Sequence, residues 1–109
     1  MTEFVEVSSY DGWVEIAMNR PERKNAMIGP LAQALRDAID DADANPDVNL
    51  ILLKGNGGAF CSGLDLKAFN ESPEPAWLSS FSQTWRSLHE RIYSADTPIV
   101  GALERYAIN

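Results

Sequence analysis

The glycine-rich segment KGNGGAFCSGLDL, residues 54–66, has the residue types and spacing best suited to chemistry. It holds four of the chain's seven glycines and directly follows the apolar run VNLILL, residues 48–53. Open α/β sheets place their ligands outside the carboxyl ends of their strands, where this segment would lie. Because glycine has no side chain, backbone amides near it can approach a ligand closely. We therefore expect this loop to present its main chain to a ligand.

Three ligand classes compete for a glycine-rich loop of this kind. A dinucleotide fingerprint would require a glycine at position 60, where this chain has Phe60. A phosphate-binding P-loop would end in Gly-Lys-Ser or Gly-Lys-Thr, whereas Lys54 precedes the glycines. An oxyanion site would use Gly63 to turn the chain, so that the Leu64 N–H points outward at the start of a short helix.

Asp65 allows a purely structural interpretation of the same turn. An aspartate in the first turn of a helix is favoured by the helix dipole and can cap the helix or pin the loop. The segment would then be a plain connection between a strand and a helix. On spacing alone, the oxyanion site and the plain turn both stay open.

A second cluster, NRPERKNAM at residues 19–27, places three basic side chains in a short loop, Arg20, Arg23 and Lys24. The whole chain is acidic, with 16 acidic residues, 9 basic residues and a net charge of -7. Basic residues on one loop of an acidic protein could attract a phosphate-bearing ligand. The alternative is a solvated basic loop without a ligand.

Apolar periodicity predicts the elements that hold these two loops. Alternating residues on both sides of Asp11-Gly12 predict a β-hairpin. Helical spacing predicts two longer helices, the second with an aromatic stripe formed by Trp77, Phe81 and Trp85. VNLILL and IVGAL predict strands buried in a parallel sheet, LDLKAFN a short helix and ESPEP an exposed break. The predicted hairpin strands are residues 3–8 and 13–18, and the longer helices are residues 30–44 and 75–93.

The order β-β-α-β-α-β describes a hairpin that continues into right-handed β-α-β crossovers, so we predict an α/β protein. With 109 residues, the chain is long enough for one modest domain, residues 1–109. A sheet of four strands with two or three helices would leave apolar surface uncovered on one side. We therefore expect the chain to belong to a larger unit or to need a partner segment.

Composition and charge exclude several classes of function. The net charge of -7 argues against non-specific binding to nucleic acid or to anionic membranes. The single cysteine, Cys61, excludes an internal disulfide and a cysteine-cluster metal site, and it is expected to be a small buried residue rather than a nucleophile. The sequence shows no signal-peptide pattern and no apolar run of the roughly 20 residues that span a bilayer. We expect a soluble, cytoplasmic protein.

Three stretches together resemble the enoyl-CoA hydratase/isomerase family, the crotonase-like proteins. NRPERKNAM resembles the family's N-R-P-x-x-x-N-A-hydrophobe motif, and GGAFCSGLDL resembles its G-x-x-F-x-x-G-x-D-hydrophobe motif. TPIVGALERYAIN is similar to the family's Pro-led strand that runs into a glycine-rich turn. The resemblance spans nearly the whole chain and implies the N-terminal part of the family's spiral of β-β-α units.

The resemblance implies an acyl-CoA thioester as the substrate, with no covalently bound cofactor and no metal. It implies that Gly63 turns the chain so that the Leu64 amide is the first of two backbone oxyanion donors. It also implies coenzyme A contacts for residues of the first two motifs, namely Arg23, Lys24, Ala26, Ser62, Leu64 and Asp65. Family members are commonly trimers or pairs of trimers, so a homo-oligomer, trimer or hexamer, is implied for a full-length protein.

The resemblance is incomplete towards the end of the chain. The family's second oxyanion amide belongs to a glycine one position beyond Asn109, and the glutamates of its hydratases lie further on. Glu104-Arg105-Tyr106 stands where the family usually has Asn-Gly-aromatic. The chain alone is therefore expected not to catalyse hydration. The single histidine, His89, is expected at the surface or at the edge of the core on the second helix.

Two other functions are compatible with the sequence. A non-catalytic interaction protein could keep this part of the fold and dock its open sheet on another chain. A small nucleotide-binding domain would require the glycine-rich loop to hold phosphate.

Overall fold

The computed structural model describes residues 4–108. They form an α/β arrangement with two short 3₁₀ turns, at Pro21–Arg23 and Leu78–Ser80. In chain order the elements are β1 Val5–Tyr10, β2 Trp13–Met18, α1 Gly29–Ala44, β3 Leu50–Gly55, β4 Cys61–Ser62, α2 Leu66–Phe69, α3 Phe81–Ser94, β5 Ile99–Gly101 and β6 Ala107–Ile108. No helix within residues 4–108 has the length and apolar character that crossing a membrane requires.

The main sheet has the strand order β1-β2-β3-β5. β1 and β2 form the predicted antiparallel hairpin, with Val5 opposite Met18, and Gly12 turns the chain with a φ of 85°. The predicted start of β1 at residue 3 lies outside the described residues. β2 pairs with β3, and β3 pairs with β5, in parallel. A parallel pair needs a crossover connection, which α1 provides for the first pair and α3 for the second.

α1 packs against the hairpin strands and against α3. Pro30 stands in its first turn, where the missing N–H costs no helical hydrogen bond. Leu31, Leu35 and Ile39 follow at four-residue intervals and are 0%, 3% and 0% exposed. Side chains at this spacing share one face of a helix, so the predicted apolar stripe becomes the centre of the core.

α3 presents an aromatic row to the same core. Phe81 is buried, and Trp77 and Trp85 pack against the core while staying partly exposed. The ring of Phe81 lies 5.7 Å from that of Trp85, centroid to centroid. The predicted aromatic stripe is therefore confirmed for Phe81 and Trp85, whereas Trp77 packs against the core from a position that precedes α3. The predicted start of the helix near residue 75 is wrong, because the chain first makes a 3₁₀ turn after Pro75 and α3 begins at Phe81.

Two strands are less buried than the sequence predicts. In β3, Ile51 and Leu53 are buried whereas Leu50 and Leu52 are half-buried. In β5, Val100 is 49% exposed. The prediction of strands buried on both faces is therefore wrong for the described part of the chain. The physical reason is that burial alternates along β3, so its packed side chains lie mainly on one face of the sheet.

A small second sheet is formed by β4 and β6, which the sequence analysis does not predict. The two strands pair in parallel, with Cys61 opposite Ala107. The Phe60 N–H continues this pairing and donates to the Glu104 carbonyl at 3.0 Å. Strands of two residues carry no periodic pattern, so only the folded chain reveals them. This pairing holds residues 104–108 beside the glycine-rich loop.

Candidate active site

A single β-bridge between Met27 and Leu64 joins the basic loop to the glycine-rich loop. The Met27 N–H donates to the Gly63 carbonyl at 2.7 Å, and the Asp65 N–H donates to the Met27 carbonyl at 3.0 Å. Gly63 has a φ of 97°, in the left-handed region that favours glycine. A Cβ built at this position would lie 3.3 Å from Ile108 Cγ2. The turn expected at Gly63 is therefore present.

The bridge determines the direction of the Leu64 N–H. In a trans peptide, the C=O and the N–H point in opposite directions. Because the Gly63 carbonyl points at Met27, the Leu64 N–H of the same peptide points away from Met27. None of the hydrogen bonds found within residues 4–108 uses the Leu64 nitrogen as its donor. This part of the chain thus has a directed backbone donor without an internal acceptor.

α2 is a single turn of helix that starts directly after this donor. Asp65 is its N-cap residue, and its Oδ1 accepts the Ala68 N–H at 3.0 Å. The capping role considered for Asp65 is therefore confirmed. Because α2 has only four residues, its macrodipole is small. Any attraction for an oxyanion at this point would come mainly from the Leu64 amide itself.

Asp65 also forms a buried ion pair with Arg20. Arg20 Nη1 lies 2.8 Å from Asp65 Oδ2, and the two side chains are 11% and 5% exposed. The same nitrogen donates to the Ala26 carbonyl at 2.8 Å. Burial raises the pKa of Asp65, but the hydrogen bond from the Ala68 N–H and the nearby Arg20 guanidinium together lower it by more. The pKa of Asp65 therefore lies below its usual range. Arg20 is therefore an internal structural cation and not part of a solvated basic loop.

Asn25 is a buried residue of this region that the sequence analysis does not single out. Its side chain is 0% exposed. Oδ1 accepts the Arg20 N–H at 2.8 Å, and Nδ2 donates to the carbonyls of Asn56 and Ala59 at 3.0 and 2.8 Å. The φ of Asn25 is 56°, a left-handed conformation in which asparagine is enriched. The sequence offered one signal for this role, because Asn25 follows the loop residues NRPERK and asparagine tolerates the left-handed conformation that turns use.

Comparison with known proteins assigns the family. A family model described as enoyl-CoA hydratase/isomerase matches residues 8–109. The chain belongs to the enoyl-CoA hydratase/isomerase family. The probable enoyl-CoA hydratase echA6 of Mycobacterium leprae is 29% identical over 107 residues, which are 95% of this chain and 41% of that protein. Enoyl-CoA hydratase EchA19 of Mycobacterium tuberculosis is 40% identical over 58 residues, which are 53% of this chain and 22% of that protein.

A solved structure of the same family agrees with the fold. The crystal structure of an enoyl-CoA hydratase/isomerase from Xanthobacter autotrophicus Py2 matches with a TM-score of 0.81 and 29% sequence identity. The match covers 95% of this chain and 39% of that chain. The predicted crotonase-like fold, N-terminal part, is therefore confirmed. The chain spans about 40% of the length of the relatives that match almost all of it.

The four other residues for which the resemblance implies coenzyme A contacts, Arg23, Lys24, Ala26 and Ser62, lie on two adjacent segments. The Ser62 N–H donates to the Lys24 carbonyl at 3.1 Å, and Ser62 Oγ donates to the Arg23 carbonyl at 3.2 Å. The side chains of Arg23 and Lys24 are exposed, whereas Ala26 is buried. Lys24 Nζ lies 5.1 Å from the centroid of the Tyr106 ring. The structure thus brings all four of these residues close to the Met27–Leu64 bridge.

Arg105 stands where the family pattern has a glycine. Its φ is 51°, in the left-handed region. This conformation costs a residue with a side chain roughly 1–2 kcal/mol, and glycine adopts it freely. A residue with a side chain thus adopts, at position 105, a conformation that glycine would adopt at lower cost.

Cys61 and His89 both line an apolar cavity of about 290 Å³. The other residues that line it come from β2, α1, β3, α3, both loops of the site and the last described segment, and include Met18, Met27, Leu35, Leu53 and Ile108. Cys61 is 8% exposed, which agrees with the expected small buried residue. His89 is exposed, and its Nδ1 lies 2.8 Å from the carbonyl of Trp85 on the same helix. The burial of Cys61 and the contact of His89 with its own helix thus agree with structural roles for both residues.

Proposed function

We propose that this chain is the N-terminal part of an acyl-CoA-processing enzyme of the enoyl-CoA hydratase/isomerase type. In this proposal the Leu64 N–H donates a hydrogen bond to the thioester oxygen of an acyl-CoA. One observation carries the proposal: this N–H is directed away from Met27 and has no acceptor among residues 4–108. Membership of the family supports a coenzyme A thioester as the ligand.

The Leu64 amide would act where negative charge develops during the reaction. When a nucleophile adds to an enoyl thioester, or when a proton leaves the carbon next to it, the thioester oxygen gains negative charge. A fixed N–H stabilises this oxyanion more strongly than the neutral carbonyl, and such a difference lowers the barrier. Removing one donor of this kind typically costs about 100- to 1000-fold in rate.

The basic loop would supply the contacts to coenzyme A. Arg23 and Lys24 expose their side chains on a chain whose net charge is -7, so they concentrate positive potential beside the bridge. We assign the phosphates of coenzyme A to these two side chains and the pantetheine to the segment of Ser62 and Leu64. Ala26 and Asp65 are buried, and they would shape this segment rather than touch the ligand with their side chains.

Thermal unfolding with acetoacetyl-CoA tests the proposal. A ligand that binds only the folded state stabilises it, by about 2.7 kcal/mol at 100 times its Kd. We expect the unfolding midpoint to rise with the concentration of acetoacetyl-CoA and the amide NMR signal of Leu64 to shift. ATP and NAD are the controls, because a nucleotide-binding domain would respond to them. An unchanged midpoint with acetoacetyl-CoA contradicts the proposal.

The 109-residue chain by itself is proposed to lack hydratase activity. The family resemblance places the second oxyanion amide and the hydratase glutamates outside these residues. Crotonyl-CoA incubated with the chain should therefore keep its enoyl absorbance. Turnover near that of a full-length relative would show that this part of the proposal is wrong.

A non-catalytic docking function is the second candidate, and exposed apolar residues favour it. Val100, Leu103 and Ile108 are 49%, 62% and 54% exposed. Apolar surface of this kind favours association with another chain. A docking protein would associate without needing acyl-CoA, whereas the enzyme proposal requires binding of the thioester. Under either function, we propose that the full-length protein forms a homo-oligomer, a trimer or a hexamer.

A further inference from the structure

Two buried polar side chains, Asn25 and Asp65, and the 11% exposed side chain of Arg20 surround the Met27–Leu64 bridge. The proposed function assigns no task to the contacts among them. We propose that Arg20, Asn25 and Asp65, here called the brace, are positioning residues that fix the direction of the Leu64 N–H. This inference rests on the proposed function for its ligand, but its geometry stands on the chain alone. The brace would touch neither the substrate nor the reacting atoms.

Arg20 spans the bridge from one side. Its Nη1 lies 2.8 Å from the Ala26 carbonyl, which immediately precedes Met27, and 2.8 Å from Asp65 Oδ2, which immediately follows Leu64. One nitrogen therefore holds the two crossing segments at positions adjacent to the bridge. Rotation of the Gly63–Leu64 peptide would break the hydrogen bond from Met27 and strain this contact. The donor is thus held in one orientation before any ligand arrives.

Asn25 holds the basic loop against the start of the glycine-rich loop. Its amide joins the basic loop to the carbonyls of Asn56 and Ala59 in the glycine-rich loop, while it accepts the Arg20 N–H. Lys24 and Asn25 have φ values of 52° and 56°, two consecutive left-handed residues that are not glycine. Such a conformation persists only where surrounding contacts determine it, and it is concentrated at functional sites.

A buried ion pair is weak evidence for stability by itself. Desolvation offsets much of the attraction between Arg20 and Asp65, so replacing both residues can leave the stability of a protein nearly unchanged, whereas removing Arg20 alone leaves the charge of Asp65 unpaired and destabilises the fold. What such a pair does provide is a defined arrangement of the groups that it joins. A positioning role therefore predicts a loss of donor geometry that is separate from any loss of stability.

The experiment compares two ligands that differ only at the thioester oxygen. Butyryl-CoA has the carbonyl, and S-butyl-CoA has a CH₂ in its place, so the ratio of their Kd values isolates the hydrogen bond to that oxygen. For the unsubstituted chain we expect butyryl-CoA to bind about three- to tenfold more tightly, as one hydrogen bond would provide. In Arg20→Met we expect this ratio to fall to about one, while the affinity for S-butyl-CoA changes less than about twofold.

Arg91→Met is the matched control. Arg91 is also a partly buried arginine that pairs with two aspartates, Asp40 and Asp43, but it lies on α3. This variant should be destabilised and should keep the full ratio between the two ligands. A ratio that falls equally in Arg20→Met and Arg91→Met would overturn the positioning role, since general loosening would then explain it.

Hydrogen exchange supplies a measurement without ligand. In Arg20→Met the amides of Met27 and Asp65 should exchange about tenfold faster, measured against the amide of Ile51 in the core. If the unsubstituted chain binds neither ligand, the proposed function fails, and hydrogen exchange at Met27 and Asp65 alone tests whether the brace holds the bridge. If the chain binds with the expected ratio and Arg20→Met keeps both the ratio and the protection, the brace is overturned and the proposed function stands.

Arg20→Lys covers the case in which Arg20→Met does not fold. Lysine keeps the positive charge beside Asp65 but replaces the planar guanidinium by a single flexible ammonium group. We expect Arg20→Lys to lose at least half of the ratio between the two ligands. An unchanged ratio in this variant would contradict the brace in the same way.

Discussion

Two glycines of the same loop have similar backbone angles but different surroundings. Gly58 and Gly63 have φ values of 84° and 97°. No atom lies within 4 Å of a Cβ built at Gly58, whereas a Cβ at Gly63 meets Ile108 Cγ2 at 3.3 Å. The pair therefore separates the cost of the backbone conformation from the cost of contact. At Gly63 the contact also adjoins the Leu64 N–H on which the proposed function depends.

Alanine at each glycine tests this difference. Gly58→Ala should destabilise the chain by about 1–2 kcal/mol, the cost of a left-handed side chain. Gly63→Ala should cost more, because Ile108 must shift, and it should also remove the protection by acetoacetyl-CoA. Urea unfolding measures the free energies, and thermal unfolding with ligand measures the protection. Equal costs together with equal protection in the two variants would show that Gly63 has no special part in the site.

At the scale of the elements, Asp43 holds the end of α1 against the segment that leads from α3 to β5. Its Oδ1 accepts the N–H groups of Asp96 and Thr97 and the Thr97 hydroxyl at 3.1, 2.9 and 2.8 Å. Its Oδ2 lies 3.0 Å from Arg91 Nη2. The Thr97 N–H and hydroxyl, aided by Arg91, lower the pKa of Asp43 against the opposing effect of burial. One carboxylate of α1 thus contacts both α3 and the segment that follows it, which lie 48 to 54 residues further along the chain.

Asp43→Ala should lower the unfolding temperature at neutral pH, because it leaves these donors without their acceptor. The folded-state pKa lies below the unfolded value of about 3.9, so the contribution is complete above that value and is lost as the pH falls through the folded-state pKa. The difference between the two proteins should therefore shrink in acid. Asp41→Ala, an exposed change on the same helix, is the control and should have little effect. A difference that does not vary with pH would contradict the assignment.

At the scale of the whole molecule, the described residues leave apolar side chains exposed at the end of the main sheet and beyond it. Val100 belongs to β5, an edge strand of the main sheet, and Leu103 and Ile108 follow it. Unpaired edges and exposed apolar residues both promote association of chains. The open surface expected from the element order is thus present on the described part of the chain.

The 109-residue chain should associate in solution, because burial of this surface removes apolar area from water. Light scattering should give a mass above that of one chain, 12.0 kDa, and Leu103→Glu should reduce the association. Tyr93→Glu is the control, since Tyr93 is 94% exposed but lies on α3 and on neither edge strand of the sheet. A monodisperse monomer at high concentration would count against both the docking function and the exposed sheet as an association surface.

Local patterns predict most of the elements correctly. The hairpin around Gly12, the apolar face of α1 and the aromatic stripe of α3 follow from spacing alone, because each is a contiguous stretch with a clear period. The two-residue strands β4 and β6 have no period to detect. The burial of Val100 is predicted wrongly because the apolar character of a strand does not reveal whether anything packs on its second face.

The sequence by itself determined the family-like motifs and the turn at Gly63, and the resemblance carried by those motifs marked the Leu64 amide as the candidate donor. It did so because Gly63 and Asp65 lie within one short segment, where local backbone rules apply. Only the tertiary structure decided that Arg20 is buried and that Asn25 joins two loops. Their partners are Asp65, Asn56 and Ala59, between 31 and 45 residues away along the chain. Contacts over such separations depend on how the sheet and helices pack, which no local pattern encodes.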